Sequence, residues 1–450
     1  MKKVAFHNLG CKVNSYELDG ISQMFQKRGY EIVEFAQKAD IYVVNTCTVT
    51  NIADRKSRQM LGRARRLNPD AIVVAAGCYV QNDPEGAAAN ENVDIIVGNN
   101  HKAELVDIVE DYIARRDGEN HTDKTLGGTT VSDLTTKCDY EELTISETSG
   151  HTRAFMKIQD GCNQFCSYCA IPLARGRARS RDIGDIEEEA KRLASNGYKE
   201  IVVTGIHLSS FGLDTYNTHA DKGETNTALL EAIEKVAETP GIERVRLGSL
   251  EPRLLTDEFV RRLALIKKLC PHFHISLQSG CDSVLKRMNR RYTTAEFEEK
   301  IKLLRKAFTH PAITTDIIVG FPGESDEEFE ETRAFLEKCD LYECHIFKYS
   351  RRKGTVADRL KGQLTDAVKS ARSDILIKES DARKHRFMEY YEGKKVNVLT
   401  EDTEVINGTT YTVGFTPEYV RVGMSETDAG QIIEILCFER DCDMMTGRAF

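Results

Sequence analysis

The sequence predicts an α/β protein of three parts: a doubly wound parallel sheet, a central partial (β/α)6 barrel and a small carboxyl-terminal β-barrel. From residue 2 to about 115, short apolar runs alternate with amphipathic helical stretches, which is the pattern of parallel βαβ units. The same alternation resumes on a longer scale from 151 to 377. After residue 394 the apolar segments are short, β-rich and separated by Asn-Gly, Gly and Pro. The chain has 450 residues, enough for about three domains of roughly 150 residues.

Composition excludes several classes of protein. With 40% hydrophobic and 30% charged residues, the chain is typical of a soluble globular protein, and its longest nearly apolar run is 71–80. That run is far shorter than the roughly 20 residues of a transmembrane helix, and no apolar signal-peptide core follows the amino-terminal lysines. We therefore expect a cytoplasmic protein with no membrane partner. A net charge of −9 argues against coating nucleic acid through bulk charge.

The amino-terminal part, 1–115, has three predicted strands that end in a cysteine. The runs are VAFHNLGC, DIYVVNTC and AIVVAAGC, which end at Cys11, Cys47 and Cys78. Ligands bind outside the carboxyl ends of strands in open parallel sheets, so three such cysteines can converge on one ligand. The next segment, 116–150, is rich in Gly, Thr, Ser, Asp and Glu and predicts a linker or an exposed hairpin.

The central part, 151–377, contains six predicted strands separated by helical segments. The strands are RAFMKIQ, EIVVTG, ERVRLGS, HFHISLQ, ITTDIIVG and ECHIFKYS. This number suits a partial barrel whose functional loops lie on one face. The tail, 378–450, contains KVNVLT, TTYTVGF, YVRVGM and QIIEILCF, from which we predict the small β-barrel.

The strongest chemical signal is the segment GCNQFCSYCAIP, directly after the first barrel strand. Cys162, Cys166 and Cys169 have the spacing C-x3-C-x2-C. Three thiolates within eight residues can wrap a 4Fe-4S cube but supply only three of its four ligands, which leaves one iron open. A zinc site needs a fourth ligand at finger-like spacing, and the sequence has no other Cys or His between His151 and His207.

This spacing at the end of the first barrel strand resembles the radical S-adenosyl-L-methionine (radical SAM) superfamily. The resemblance implies that SAM chelates the open iron and that an electron from the cluster cleaves SAM to a 5′-deoxyadenosyl radical. The contexts LGCKVN, VNTCTVT and AAGCYVQ, with SLQSGCDSVLKRMNRRYT, TDIIVGFPGES and FKYSRRKGT, resemble the methylthiotransferase family of radical SAM enzymes over essentially the whole chain. That family implies a second 4Fe-4S cluster on Cys11, Cys47 and Cys78, and an RNA-binding TRAM-like tail.

Further SAM contacts are implied by position and by the same resemblance. Tyr168, inside the cluster loop, resembles the family's aromatic residue near the SAM adenine. Four residues at predicted strand ends face the cofactor in this interpretation, although an ordinary βα turn is the alternative for each: Gly205, Gln278, Gly320 and Gly323. The other seven cysteines lack cluster spacing and are predicted to be packed or incidental thiols: Cys138, Cys270, Cys281, Cys339, Cys344, Cys437 and Cys442.

Basic residues are clustered despite the acidic total. Four runs, RKSRQMLGRARR, ARGRARSR, KRMNRR and KYSRRK, follow or overlap the chemical motifs and together favour a polyanionic substrate, although a solvated helix face is the alternative for each run. The candidate substrate-binding residues are Arg63, Arg65, Arg66, Arg175, Arg177 and Arg351. The last 70 residues contain 8 basic and 13 acidic residues, so RNA binding by the tail requires a local patch or shape.

The resemblance implies a tRNA methylthiotransferase that uses two SAM molecules per turnover. LGCKVNSYE and NTCTVTNIADRKSR look most like the branch that converts N6-threonylcarbamoyladenosine, adenosine 37 beside the anticodon, to its 2-methylthio derivative. The implied partners are tRNA, an electron donor such as flavodoxin or ferredoxin, and a sulfur donor. Two sister branches remain open, acting on isopentenyladenosine of tRNA or on an aspartate of a ribosomal protein. An alternative from another class is a non-catalytic iron-sulfur protein that binds RNA or senses redox state.

Overall fold

The structure is a computed structural model, and it describes residues 1–118, 128–136, 138–148, 150, 152–215, 224–425, 427–441 and 443–449. The chain divides into two compact units, and three separate stretches build each of them. The first unit comprises 1–147, 159–181 and 350–358, and the second comprises 148–158, 182–349 and 359–450.

A six-stranded sheet forms the centre of the first unit. Its strands are β1 (Lys3–Asn8), β2 (Glu31–Val33), β3 (Ile41–Thr46), β4 (Ile72–Gly77), β5 (Ile95–Val97) and β6 (Thr129–Thr130). They pair in the order β2-β1-β3-β4-β5-β6, and every pairing is parallel. This confirms the predicted doubly wound sheet and makes β1, β3 and β4, the strands that precede the three cysteines, direct neighbours.

Helices cover both faces of this sheet. They are α1 (Lys12–Lys27), α2 (Asn51–Leu67), α3 (Cys78–Asn82), α4 (Pro84–Ala88) and α5 (Leu105–Gly118). Because side chains alternate along a strand, Ile41 and Val43 of β3 pack with α1 and α5, whereas Tyr42 and Val44 pack with α2, α3 and α4. The Thr50 side chain caps α2 by accepting the N–H of Ala53 at 3.1 Å.

Residues 128–148 differ from the exposed linker that the composition suggests. They contribute β6 as the sixth strand of the sheet, and Leu134, Leu143 and Ile145 are buried. Tyr16 of α1 donates its hydroxyl to the Leu143 carbonyl, and Gln23 donates to the Glu147 carbonyl at 2.8 Å. A few apolar side chains, together with hydrogen bonds from α1, are therefore enough to order this polar segment.

The six predicted barrel strands are all present. They are β7 (Arg153–Asp160), β9 (Glu200–Gly205), β10 (Arg244–Leu247), β11 (His272–His274), β12 (Ala312–Val319) and β13 (Glu343–Lys348). The strand orders are β10-β9-β7 and β11-β12-β13, and isolated parallel bridges from Val245 to Leu269 and from Leu250 to Ile275 continue the pairing between them. Gln159 and Asp160, which end β7, belong to the first unit and pair with β8 (Arg179–Ser180).

Helices separate these strands, as the predicted partial barrel requires. In the second unit they are α7 (Ile183–Ser195), α8 (Thr227–Glu238), α9 (Asp257–Leu263), α10 (Asp282–Arg287), α11 (Thr294–Ala307), α12 (Asp326–Cys339) and α13 (Asp366–Glu389), and α6 (Ile171–Arg175) lies in the first unit. The predicted domain limits remain predictions. The limit at 377 falls within α13.

The tail forms a closed five-stranded barrel. Its strands are β14 (Lys395–Ile406), β15 (Thr409–Phe415), β16 (Arg421–Met424), β17 (Ile432–Asp441) and β18 (Met444–Ala449), in the order β14-β15-β16-β18-β17. Pairing of β14 with β17 closes the barrel, and β16 with β18 is its parallel pair. No sequence pattern predicts β18, because MMTGRA has few of the β-branched and aromatic residues that are typical of a strand.

Arginines at the beginning of two strands anchor this barrel within the second unit. Arg153, which begins β7, pairs with Glu401 at 2.7 Å, and Arg244, which begins β10, donates to the Asn397 carbonyl at 2.9 Å. The tail therefore covers the amino-terminal ends of these strands and leaves their carboxyl-terminal ends to the loops. Among the residues described above, we find no helix with the length and hydropathy of a membrane span.

Candidate functional site

The loop after β7 holds Cys162, Cys166 and Cys169 through local backbone hydrogen bonds. The Cys162 N–H donates to the Gly176 carbonyl and the Cys169 N–H to the Cys166 carbonyl, both at 3.0 Å. The sulfur of Cys162 accepts the N–H of Gln164, and the sulfur of Cys169 accepts the N–H of Ile171, each at 3.4 Å. Cys162 is buried, whereas Cys166 and Cys169 are half-buried, so the loop keeps an accessible side.

Gly161 explains why this loop can turn so sharply before its first cysteine. Its φ is 68°, and a Cβ at this position would overlap the carbonyl oxygen of Arg177. Glycine alone combines this backbone conformation with so close an approach of another backbone segment.

The second cysteine triplet is assembled from three strand ends. Cys11 directly precedes α1, Cys47 directly follows β3, and Cys78 begins α3 directly after β4. Cys47 and Cys78 are buried, and Cys11 is exposed. Burial raises the pKa of the Cys47 thiol to about 11, and Cys78, Cys11 and Arg175 all act on that thiol electrostatically. The structure therefore brings the three predicted cysteines into one environment.

The donor set of both triplets fits an iron-sulfur cluster. Within the described ranges, no three His, Cys, Asp or Glu side chains converge on one ion. In a 4Fe-4S cube each thiolate binds its own iron, so the sulfurs need not meet at one point. An all-sulfur donor set is also the chemistry that iron-sulfur clusters require.

Arg175 is not available to a substrate, contrary to its predicted role. Its side chain is fully buried and donates to Glu17 at 2.7 and 2.9 Å, and to Asp160 at 3.1 Å. Its Nε lies 3.3 Å from the sulfur of Cys78. Burial alone would lower the pKa of Arg175, but Asp160, Cys78 and Glu17 outweigh burial and raise it. The basic run ARGRARSR therefore begins with an internal cation.

Arg65 also has a structural role, and its predicted contact with substrate stays a prediction. It forms an ion pair with Asp94 at 2.6 Å and donates to the carbonyls of Pro69 and Ala71 beyond the end of α2. By contrast, Arg63 and Arg66 are exposed on the same helix. The run RKSRQMLGRARR thus has an exposed basic face and one arginine that fixes the helix end.

The other two substrate candidates are accessible. Arg177 is exposed, and its guanidinium carbon lies 4.7 Å from the centroid of the Phe165 ring, which is 43% exposed. Arg351 is exposed and forms an ion pair with Asp358 at 2.9 Å. Both residues can therefore still meet an anionic substrate, and for them this role stays a prediction.

The predicted SAM contacts of the second unit lie at the carboxyl-terminal ends of its strands. Gly205 ends β9, Gly320 directly follows β12, and Gly323 lies three residues further on. Gln278 follows β11 and bridges to Ile317 of β12. Tyr168 lies half-buried in the cluster loop of the first unit. The four positions in the second unit agree with the predicted edge of the barrel, and SAM binding by all five residues stays a prediction.

Comparison with known proteins identifies the family of this chain. Residues 156–336 match the radical SAM superfamily, and 3–98 match an uncharacterized protein family, UPF0004. Threonylcarbamoyladenosine tRNA methylthiotransferase MtaB of Bacillus subtilis (strain 168) is 40% identical over 441 residues, 97% of this chain and 93% of the relative. The chain belongs to the radical SAM methylthiotransferase family.

Other members of this methylthiotransferase family also match over most of the chain. MtaB of Aquifex aeolicus (strain VF5) is 40% identical over 88% of this chain and 92% of its own length. A tRNA-2-methylthio-N(6)-dimethylallyladenosine synthase of Clostridium botulinum (strain Langeland) is 34% identical over 88% of this chain and 85% of its own length. Membership makes the protein an enzyme, a radical SAM transferase, and excludes the non-catalytic alternative. It also implies a 4Fe-4S cluster and SAM.

A solved structure shares the fold. The radical SAM methyltransferase TsrM from Kitasatospora setae, with cobalamin and a 4Fe-4S cluster bound, matches with a TM-score of 0.56 and 16% identity, over 79% of this chain and 77% of that chain. At this identity the likeness concerns the fold alone, and it supports the predicted α/β class.

Sequence reasoning missed a buried charged network in the radical SAM part. Glu251 lies four residues beyond β10 and accepts from Arg290 at 2.7 Å. His207, two residues after β9, has its Nε2 3.8 Å from the Glu251 carboxylate. Burial raises the pKa of Glu251, but Arg290 and His207 outweigh burial and lower it to about 2. No spacing in the sequence signals this network, because its members come from three separate loops.

A second missed feature is the segment 350–358, which belongs to the first unit. Arg352 is buried and donates at 2.6 Å to Thr48, in the loop after Cys47, and at 2.7 Å to Asn51, which begins α2. It also pairs with Asp54 of α2 at 2.7 Å. The Ala357 N–H donates to the Ser167 carbonyl in the other cysteine loop at 2.7 Å. In this methylthiotransferase, the segment 350–358, which begins within the basic motif KYSRRK, therefore supports both cysteine loops.

Proposed function

We propose that this methylthiotransferase transfers a methylthio group to C2 of N6-threonylcarbamoyladenosine at position 37 of tRNA, using two SAM molecules per turnover. The observation that carries the proposal is the presence of two all-cysteine triplets within one compact unit. One triplet is the C-x3-C-x2-C loop after β7, and the other is Cys11, Cys47 and Cys78 at three neighbouring strand ends. Two clusters fit two separate tasks, radical generation and delivery of a methylated sulfur.

When bound, the two clusters supply the electron that cleaves SAM and the site that holds the transferable sulfur. The chain's part is to hold and shield these groups. Cys162, Cys166 and Cys169 offer three thiolates, so the fourth coordination position of that cluster remains for SAM. Backbone N–H groups of Gln164 and Ile171 already point at two of these sulfurs. In the second site Cys47 and Cys78 are buried and Cys11 is exposed, so this site is shielded on one side and accessible on the other.

The substrate branch is supported by similarity and by polarity. Two relatives that are 40% identical carry the threonylcarbamoyladenosine name, whereas the dimethylallyladenosine synthase is 34% identical. A threonylcarbamoyl group has a carboxylate, and Arg177 and Arg351 are exposed cations of the first unit that can pair with it. An isopentenyl group is apolar and has no carboxylate with which these arginines could pair. Exposed Arg63 and Arg66 can contact the RNA backbone.

The decisive experiment is a competition between tRNA substrates. Anaerobically reconstituted enzyme is given SAM, a reductant, sulfide, and tRNA that carries threonylcarbamoyladenosine, isopentenyladenosine or unmodified adenosine. We expect methylthiolation of the first, and little of the others, because polar groups built for the threonylcarbamoyl substituent would be left unpaired. Nucleoside mass spectrometry measures the product. Equal turnover of isopentenylated tRNA would contradict the branch and leave the methylthiotransferase assignment intact.

We further propose that a flavodoxin or ferredoxin supplies the electron, that a separate sulfur donor replenishes the second cluster, and that the enzyme acts on tRNA in the cytoplasm. Reduction of a sulfonium requires a low-potential donor, and transfer of sulfur consumes one sulfur atom per product. Replacing the chemical reductant and sulfide by cell extract, fractionated until single components restore turnover, tests both donors.

A further inference from the structure

One buried side chain, Arg175, connects the two cysteine loops of the first unit. It ends α6, which begins two residues after Cys169. Its Nε lies 3.3 Å from the sulfur of Cys78, in the other triplet. Both terminal nitrogens contact the carboxylate of Glu17, at 2.7 and 2.9 Å, so the planar guanidinium has one fixed orientation.

Two further acceptors place the same guanidinium beside the remaining cysteine positions. Asp160, 3.1 Å away, is separated from Cys162 by Gly161 alone. Asn14, whose side-chain oxygen accepts at 2.7 Å, lies in the first turn of α1 directly after Cys11. The acceptors Glu17, Asp160 and Asn14 are all buried. A buried cation with this many partners fixes the relative position of three cysteine-bearing backbones.

The sulfur of Cys78 also receives a second donor. The side-chain N–H of Asn99 lies 3.5 Å from this sulfur, and Asn99 is held in turn by the Ala174 carbonyl at 2.7 Å. In the loop after β7, backbone amides donate to Cys162 and Cys169. Cys78 receives a hydrogen bond from a charged side chain.

We propose that Arg175 is a positioning residue of the auxiliary cluster: it orients Cys78 and raises the reduction potential of that cluster through its Nε–H···S hydrogen bond. The inference rests on the proposed function, since it requires a cluster on Cys11, Cys47 and Cys78. Hydrogen bonds to cluster sulfurs and nearby positive charge stabilise the reduced form, which carries the additional electron. The same residue joins this site to the loop that holds the SAM-binding cluster.

The test isolates the auxiliary cluster in the full-length chain. Replacing Cys162, Cys166 and Cys169 by Ala leaves one site, which should bind about four irons after anaerobic reconstitution. In that background, Arg175→Lys keeps the charge but loses the planar fork and the Nε–H. We expect the equilibrium constant for one-electron reduction to fall about tenfold, which is about 59 mV for a one-electron couple. A redox titration followed by EPR measures this shift and the change in line shape.

A second variant is expected to shift the reduction potential of the auxiliary cluster in the opposite direction. Glu17→Gln keeps the shape of the side chain and removes the negative charge that Arg175 and the buried Lys102 both contact, so the potential should rise. If Arg175→Lys does not retain iron, the reduction potential of Glu17→Gln tests the proposal by itself. Arg181→Lys is the matched control, because Arg181 is as buried as Arg175 in the same unit but donates to Glu142, outside both triplets, at 3.1 Å. The reduction potential of this control should equal that of the background protein, in which Cys162, Cys166 and Cys169 are replaced by Ala.

Two results would overturn the inference, and they are distinguishable. Four irons with an unchanged potential and EPR signal in both Arg175→Lys and Glu17→Gln would reject the role of Arg175 and leave the auxiliary cluster in place. A background protein that binds no iron would reject the auxiliary cluster itself, and with it the proposed function.

Discussion

The two cysteine triplets differ in how the chain builds them. Cys162, Cys166 and Cys169 lie within eight residues, and backbone amides of the same loop donate to two of their sulfurs. Cys11, Cys47 and Cys78 come from the ends of three strands, and Cys78 receives its donors from side chains distant in sequence. The first site depends on a short loop and the second on the whole sheet. A local site and a distributed site should therefore fail in different ways.

The largest effects are expected when the three cysteines of each site are replaced separately. Replacing Cys162, Cys166 and Cys169 by Ala should leave about half of roughly eight irons and abolish SAM cleavage. Replacing Cys11, Cys47 and Cys78 by Ala should also halve the iron, but it should spare 5′-deoxyadenosine formation and stop methylthio transfer. Iron analysis and liquid chromatography of both products provide the measurements. Methylthio transfer by the second variant would disprove the two-cluster proposal.

A smaller effect tests whether the site of Cys11, Cys47 and Cys78 depends on contacts from a segment that is distant along the chain. Arg352→Ala leaves the half-buried Asp54 without this cation, and it removes the donors to Thr48, in the loop after Cys47, and to Asn51 at the start of α2. Breaking a buried pair in this way destabilises a protein by about 3–5 kcal/mol. We expect a lower denaturation midpoint and a loss of iron mainly from the second triplet.

The neighbouring residue provides the control for that variant. Arg351 is 58% exposed in its side chain and pairs with Asp358 at the surface. Exposed pairs contribute about 0–1 kcal/mol, so Arg351→Ala should keep the wild-type midpoint and iron content. Equal destabilisation by both substitutions would show that the whole segment, and not the buried ion pair, supports the loop.

The smallest expected effect concerns the basic face beside the second triplet. Arg63 and Arg66 are exposed on α2, and reversing both to Glu should weaken tRNA binding and reduce the slope of log Kd against log salt by about one unit per lost phosphate contact. SAM cleavage should be unchanged. Filter binding at several salt concentrations measures the slope.

Two exposed lysines of the second unit provide the comparison. Lys267→Glu with Lys306→Glu makes the same change of charge outside the basic runs. If this control reduces the slope as much as the variant of Arg63 and Arg66, the effect reflects net charge alone. Arg65 is unsuitable for the test because its ion pair with Asp94 holds the end of α2.

Sequence patterns predicted the parts of this molecule that depend on local order. The sequence predicts Cys11, Cys47 and Cys78 as a set because an apolar strand ends at each, and it predicts the loop triplet from its spacing. The role of Arg175 was predicted wrongly because a basic run gives no sign of burial. Its acceptor Glu17 is 158 residues away along the chain and becomes its partner only when the sheet and the loop have folded together.

The segment 350–358 has a consequence for the order of synthesis. Its Arg352 completes the loop after Cys47, and its Ala357 binds the loop that carries Cys166 and Cys169. A ribosome adds about 5–20 residues per second, so roughly 17 to 70 seconds separate the emergence of Cys11 from that of Arg352. During this interval the nascent cysteine loops lack a support that they have in the finished protein. Stable loading of iron and sulfur is therefore expected after translation has passed this segment, and a truncated chain that ends at 349 should exchange its metal more readily than the whole protein.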